Sequence, residues 1–165
     1  MAETGPAIWD VTVDRVLEAP PERVWKAFSD SAEIEKWWGP DGFSCPFAQA
    51  DLRVGGRTLV AMRAPEQWGG GETYNAWTFT EVDPFRSIRY IMTFCDADGN
   101  RMLPSELGLP EGIPSDGEHS ITLDDLGDGR THFVMVEPGY ASEQTRDLSK
   151  MGLEQCITKM EASFR

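Results

Sequence analysis

Residues 142–165 carry the only long amphipathic helical pattern in the chain, and a helix of that length needs a partner to bury it. At helical spacing Leu148, Gly152, Leu153, Cys156, Ile157, Met160 and Phe164 share one broad face, while Lys150, Glu154, Thr158 and Glu161 share the other. Ser142 suits the N-cap, Glu143 the first turn, and Lys159 and Arg165 the negative end of the helix dipole. Gly152 stands out on the apolar face. It lowers helix propensity by about 1 kcal/mol relative to Ala, so it marks either a close approach or space left for a ligand.

Upstream, the dominant period is two. Ile8 to Leu17 begins with Trp9, Val11 and Val13 alternating with Asp10, Thr12 and Asp14, a half-buried strand. Pro20-Pro21-Glu22 then opens a short helix carrying Val24, Trp25 and Phe28. Asp30 or Ser31 caps a second, with Ile34, Trp37 and Trp38, which Gly39-Pro40 ends. Extended stretches follow over 43–54, 58–63 and 73–82, separated by Val54-Gly55-Gly56-Arg57 and by the glycine-rich 65–71. The clearest alternation sets Ile88, Tyr90, Met92 and Phe94 against Ser87, Arg89, Ile91 and Thr93. His119, Ile121 and Leu123 form one arm of a hairpin that turns at Gly127-Asp128-Gly129 and returns over 131–137, and Pro138-Gly139 separates it from the final helix. Residues 96–118 are broken by Pro and Gly yet hold Leu103, Leu107, Leu109 and Ile113, too apolar for a solvated linker; a loop this long is uncommon without a function, and a binding role would make Leu103 to Ile113 a lid. The predicted class is α+β in one domain spanning 1–165, an antiparallel sheet with helices segregated to one face.

The net charge of −13 repels phosphate backbones and anionic headgroups, so nucleic acid and lipid headgroups are not expected partners, and no segment approaches the ~18 to 20 apolar residues of a membrane span, so membrane insertion is not expected. Met1 to Pro6 has neither a basic start nor an apolar run, and a cytoplasmic location is expected. Cys45, Cys95 and Cys156 are odd in number and far apart, which fits reduced thiols rather than a disulfide frame or a zinc site. Asp96-Ala97-Asp98-Gly99-Asn100 begins like a calcium loop, but Arg101 and Leu107 stand where the glycine and the bidentate Glu belong, so it reads as a hairpin turn. No metal and no cofactor are expected.

The run Glu18-Ala19-Pro20-Pro21-Glu22-Arg23-Val24-Trp25-Lys26-Ala27-Phe28, with Trp37-Trp38-Gly39-Pro40 after it, resembles the opening of the SRPBCC, or START-like, superfamily, in the branch related to the activator of Hsp90 ATPase (AHSA1-like). Gly55-Gly56-Arg57, the segment Glu81 to Tyr90, and Gly127 to Thr131 follow in the family's order. The resemblance implies a helix-grip fold: a curved antiparallel sheet of about six or seven strands around the C-terminal helix, two short helices after the first strand, and a cavity between sheet and helix. In many relatives that cavity holds an apolar small molecule.

On that fold the expected cavity lining is Trp38, Trp77, Phe79, Tyr90, Met92, Phe94, Ile121, Met135, Gly152 and Cys156. Trp37 and Trp38 are adjacent and cannot point the same way, so one packs and the other can face the cavity mouth. His119, His132, Tyr90 and Glu137 are the candidate proton-transfer groups; the two histidines lie on the two arms of one hairpin and could pair across it. Arg57, Arg89 and Glu137 are candidates to hold a polar end of a ligand.

Three functions compete. The first is a module that binds an apolar molecule of lipid, polyketide or aromatic type and is not an enzyme. A cyclase- or hydrolase-like enzyme using the same pocket is the alternative, and an Hsp90-type co-chaperone ranks last. Self-association into a homodimer is left open.

Overall fold

The computed structural model describes residues 8–165, so the stretch 1–6 read above for a signal lies outside the described residues. The chain forms β1 (Trp9–Leu17), α1 (Pro21–Ser29), α2 (Ser31–Trp37), β2 (Ser44–Gln49), β3 (Arg57–Arg63), β4 (Glu72–Asp83), β5 (Ser87–Cys95), β6 (Gly117–Asp125), β7 (Thr131–Tyr140) and α3 (Glu143–Ala162). All seven strands join one antiparallel sheet in the order β1-β7-β6-β5-β4-β3-β2. This is the helix-grip arrangement: every strand but β1 neighbours its sequence neighbour, and β1 reaches the far side by pairing with β7.

Local chemistry explains the helix boundaries. Pro20 and Pro21 supply the fixed φ that suits a first turn, and α1 runs from Pro21 without a side-chain cap. Asp30 caps α2, its Oδ1 accepting from the backbone N–H of Ala32 and Glu33 at 2.9 and 3.2 Å. The Oγ of Ser142 accepts from the N–H of Thr145 at 3.1 Å and so starts α3 where the sequence placed it.

Two boundaries differ from the sequence reading. The extended stretch 43–54 contributes strand only over Ser44–Gln49; beyond it the chain turns, with the side chain of Thr58 accepting from the Asp51 N–H at 3.2 Å. β7 continues through Pro138 and Gly139 to Tyr140 instead of stopping before them. The β6 register ends at Val136, so Pro138 deprives no ladder partner on that side of an N–H, and a bulge opposite Trp9 and Val11 absorbs the irregularity on the β1 side.

The core lies between sheet and helices. Val11, Val13 and Leu17 of β1, Val24 and Phe28 of α1, Ile34 and Trp37 of α2, Phe133 of β7, and Leu153, Ile157 and Met160 of α3 are buried in it. Phe28 stacks on Phe133 with centroids 6.2 Å apart and meets Trp37 edge-on at 5.1 Å. α3 packs on β1 and β7. Arg15 fixes it there, donating to the Glu154 carboxylate at 2.6 and 3.0 Å, to the Glu154 carbonyl at 2.7 Å and to the Thr158 hydroxyl at 2.9 Å. The helix therefore covers one flank of the sheet, and the inner face of β3 to β5 is left to be covered by other means.

Candidate functional site

Over β4 and β5 the sheet and helix do not meet, and a cavity of about 490 Å³ remains between them. Its floor is the inward row of one end of the sheet: Thr73, Asn75 and Trp77 of β4, Tyr90, Met92 and Phe94 of β5, His119 of β6, and Glu137 and Tyr140 of β7. Leu148, Ser149, Gly152, Leu153 and Cys156 of α3 form a wall, and Trp38, Pro40 and Phe43 close one side. Leu109 and Ile113, from the segment between β5 and β6, close another.

The tandem tryptophans divide their roles as their adjacency requires. Trp37 is fully buried in the core, its Nε1–H donating to the Ala27 carbonyl at 2.9 Å. Trp38 turns towards the cavity and meets Trp77 edge-on at 5.1 Å. Its buried Nε1–H has no acceptor among the described residues. Gly39, at φ 116°, makes the turn that follows, a backbone conformation open to glycine and strained for other residues.

The polar end of the cavity is built around Glu137. Tyr140 donates its hydroxyl to Glu137 Oε1 at 3.3 Å, and Oε2 lies 3.5 Å from His119 Nδ1, whose geometry completes no hydrogen bond. The His119 ring rests against Tyr90 with centroids 5.1 Å apart. Burial dominates the electrostatics here. It raises the Glu137 carboxyl to about 7 and lowers the His119 imidazole to about 4, and it drives the Tyr90 hydroxyl well above its ordinary range, with the Glu137 charge acting in the same direction. Cys156 is pushed up to about 11, chiefly by burial, and is a neutral thiol at physiological pH. Among the described residues no Lys or Arg lines the cavity. Lys159, one turn beyond Cys156, is tied to the carbonyls of Gly39 and Phe43 at 2.8 and 3.2 Å.

Of the residues expected to line the pocket, Trp38, Trp77, Tyr90, Met92, Phe94, Gly152 and Cys156 do so. Phe79, Ile121 and Met135 do not; they are in the closed core. They lie on the same inward rows, but nearer the other end of the sheet, where Ile88, Phe133 and Phe28 fill the space. Period two tells which face a residue takes, not how far along the strand the filling stops. His132 is also displaced from the site. Ser120 sits opposite Val136 and Asp124 opposite His132, so the histidines do not pair, and His132 is on the outer surface with Nε2 2.7 Å from Asp14 Oδ1. Arg57 and Arg89 point away too, to the Gly99 carbonyl and to Glu118. Asn75 and Tyr140 were missed. Asn75 had a signal, being a polar residue two positions before Trp77 and so on the same face of β4; Tyr140 had none, because the bulge near the end of β7 breaks the period that would have placed it.

A family-level sequence comparison matches residues 18–165 to the family described as Activator of Hsp90 ATPase homolog 1-like protein. The chain belongs to this family. Solved structures superpose over nearly the whole chain. A protein from Chromobacterium violaceum is 30% identical, with a TM-score of 0.72 over 93% of this chain and 94% of its own. One from Mycobacterium smegmatis is 26% identical, with a TM-score of 0.72 over 94% and 90%. The homolog 1-like protein from Silicibacter pomeroyi, 18% identical with a TM-score of 0.71 over 94% and 97%, shares the fold. No curated protein matches the chain. No helix among the described residues is long and apolar enough to cross a membrane.

Proposed function

We propose that this member of the activator of Hsp90 ATPase homolog 1-like family binds an apolar small molecule between β4, β5 and α3. One observation carries the reading: a cavity of about 490 Å³, walled mainly by aromatic and aliphatic side chains, two of whose lining residues, Trp38 and His119, each carry a buried ring nitrogen (Nε1 and Nδ1) with no hydrogen-bond partner among the described residues. That volume falls within the range of small-molecule sites, and a few placed polar groups on an apolar lining are their usual composition. A buried donor left unpaired is destabilising by about 1 to 3 kcal/mol, which a ligand can relieve. Native mass spectrometry of the freshly purified protein and titration with the neutral fluorophore Nile red test the reading. A bound species or saturable binding is expected; neither, across a panel of neutral competitors, overturns it.

A second reading rests on the Glu137–His119 pair. A carboxyl raised to about 7 beside an imidazole lowered to about 4, both facing a cavity, can exchange a proton with a bound molecule near neutral pH. If the protein is a cyclase- or hydrolase-like enzyme, Glu137→Gln abolishes turnover while leaving Nile red binding in place. Stimulation of an Hsp90 ATPase, suggested by the family's name, is not expected and is checked by adding the protein to that assay.

A further inference from the structure

The charge of the cavity restricts what can enter it beyond being apolar. Resting on the binding role proposed above, we infer that the ligand is an uncharged molecule bearing a hydroxyl or comparable oxygen, and that the site rejects carboxylate-bearing molecules such as free fatty acids. A carboxylate leaving water needs a cation or several donors directed at it. Here the lining, among the described residues, offers no Lys or Arg, and Lys159 is already held by two backbone carbonyls. Glu137 faces the same space from β7, with Tyr90 from β5, His119 from β6, Tyr140 at the end of β7 and Cys156 from α3 as the other titratable neighbours, none of them cationic at neutral pH. An anion would sit beside a carboxyl without compensation. An ammonium would satisfy Glu137 but present no acceptor to the unpaired Trp38 Nε1–H. A hydroxyl both donates and accepts, so it can serve either the Glu137–His119 end or the indole.

The test is a matched series measured by calorimetry at pH 7.5: 2-naphthol, 2-naphthoate and 2-(aminomethyl)naphthalene, with 1-decanol and decanoate as an aliphatic pair. In at least one skeleton the hydroxyl compound is expected to bind more tightly than its carboxylate by on the order of tenfold or more. Glu137→Gln, which keeps the shape and removes the charge, is expected to narrow that ratio; circular dichroism and thermal melting of the variant establish that it folds. Equal or tighter binding of the carboxylates, or a tightest complex with the ammonium compound, overturns the inference while leaving the binding role standing. Should none of the five bind and Nile red also fail, the binding role falls and the inference with it. Nile red binding without any of the five overturns the inference alone.

Discussion

Burial shifts Glu137 and His119 in opposite directions, and this makes their burial visible in solution. Glu137 ionises near 7 in the fold against an ordinary 4.5, so the folded state holds that proton more tightly and its contribution to stability, complete below 4.5, is lost as pH rises towards 7. His119 is protonated only near 4 against an ordinary 6.5, so its contribution, complete above 6.5, is lost as pH falls towards 4. In the intervening range the two slopes oppose each other. Urea unfolding of Glu137→Gln should show the variant gaining on the wild type as pH rises from 4.5 to 7; His119→Gln should gain as pH falls from 6.5 to 4. Each span is on the order of a few kcal/mol. Trp38→Phe makes a complementary case. It removes a donor that has no protein partner, so no hydrogen bond is lost from the empty protein, while affinity for the hydroxyl compounds should fall several-fold in the calorimetric titration.

At the scale of elements, α3 is both core and wall. Leu153, Ile157 and Met160 anchor it on the sheet, whereas Leu148 is 53% exposed at the cavity rim despite belonging to the same apolar face. Gly152 lies between these two regimes. A methyl group there would meet only Pro40, at 3.7 Å, an ordinary contact. Gly152→Ala should therefore fold with equal or greater stability, up to about 1 kcal/mol from helix propensity, and still bind Nile red. Gly152→Leu should fold but lose Nile red binding, because its longer side chain has the cavity to grow into. The cap of α2 offers a control remote from ligand contact: Asp30→Ala should lower stability by about 1 kcal/mol in chemical denaturation, without altering binding.

At the scale of the whole molecule, the sheet is filled at one end and hollow at the other, and the segment between β5 and β6 closes the hollow end. Several ties pin it. Arg101 pairs with Asp116, the Asp116 N–H donates to the Met92 carbonyl at 3.0 Å, and the Ala141 N–H donates to the Gly112 carbonyl at 2.9 Å just before α3. Between these ties Leu109 and Ile113 reach into the cavity. If this segment acts as the lid, Leu109→Ser with Ile113→Ser should speed Nile red release in stopped-flow displacement by more than it changes the melting temperature of the empty protein. Any ligand that binds only the folded state should also raise that temperature with concentration, which a thermal-shift titration measures.

How far the sequence sufficed depends on the range of the interactions. Element types came through because they are set locally: Asp30 and Ser142 cap, Pro20-Pro21 opens, Gly127 and Gly129 turn, and the rows at Ile88, Tyr90, Met92 and Phe94 declare a face. The resemblance added the order in which those elements close, and the sheet follows it. What lay outside local pattern was the boundary between filled and empty. Phe79 and Trp77 are two residues apart on one face of β4, yet one is in closed core and the other lines the cavity, since only the placement of α1, α2 and α3 above the sheet determines where packing stops. The meeting of Glu137 with His119 likewise depends on hairpin register, and Tyr140 joins them through a bulge that no periodicity announces. Sequence by itself determined the helix that would be gripped and the face it would present. Tertiary structure decided that the grip is incomplete, because three helices cannot cover seven strands evenly, and the uncovered end is where a ligand can be held.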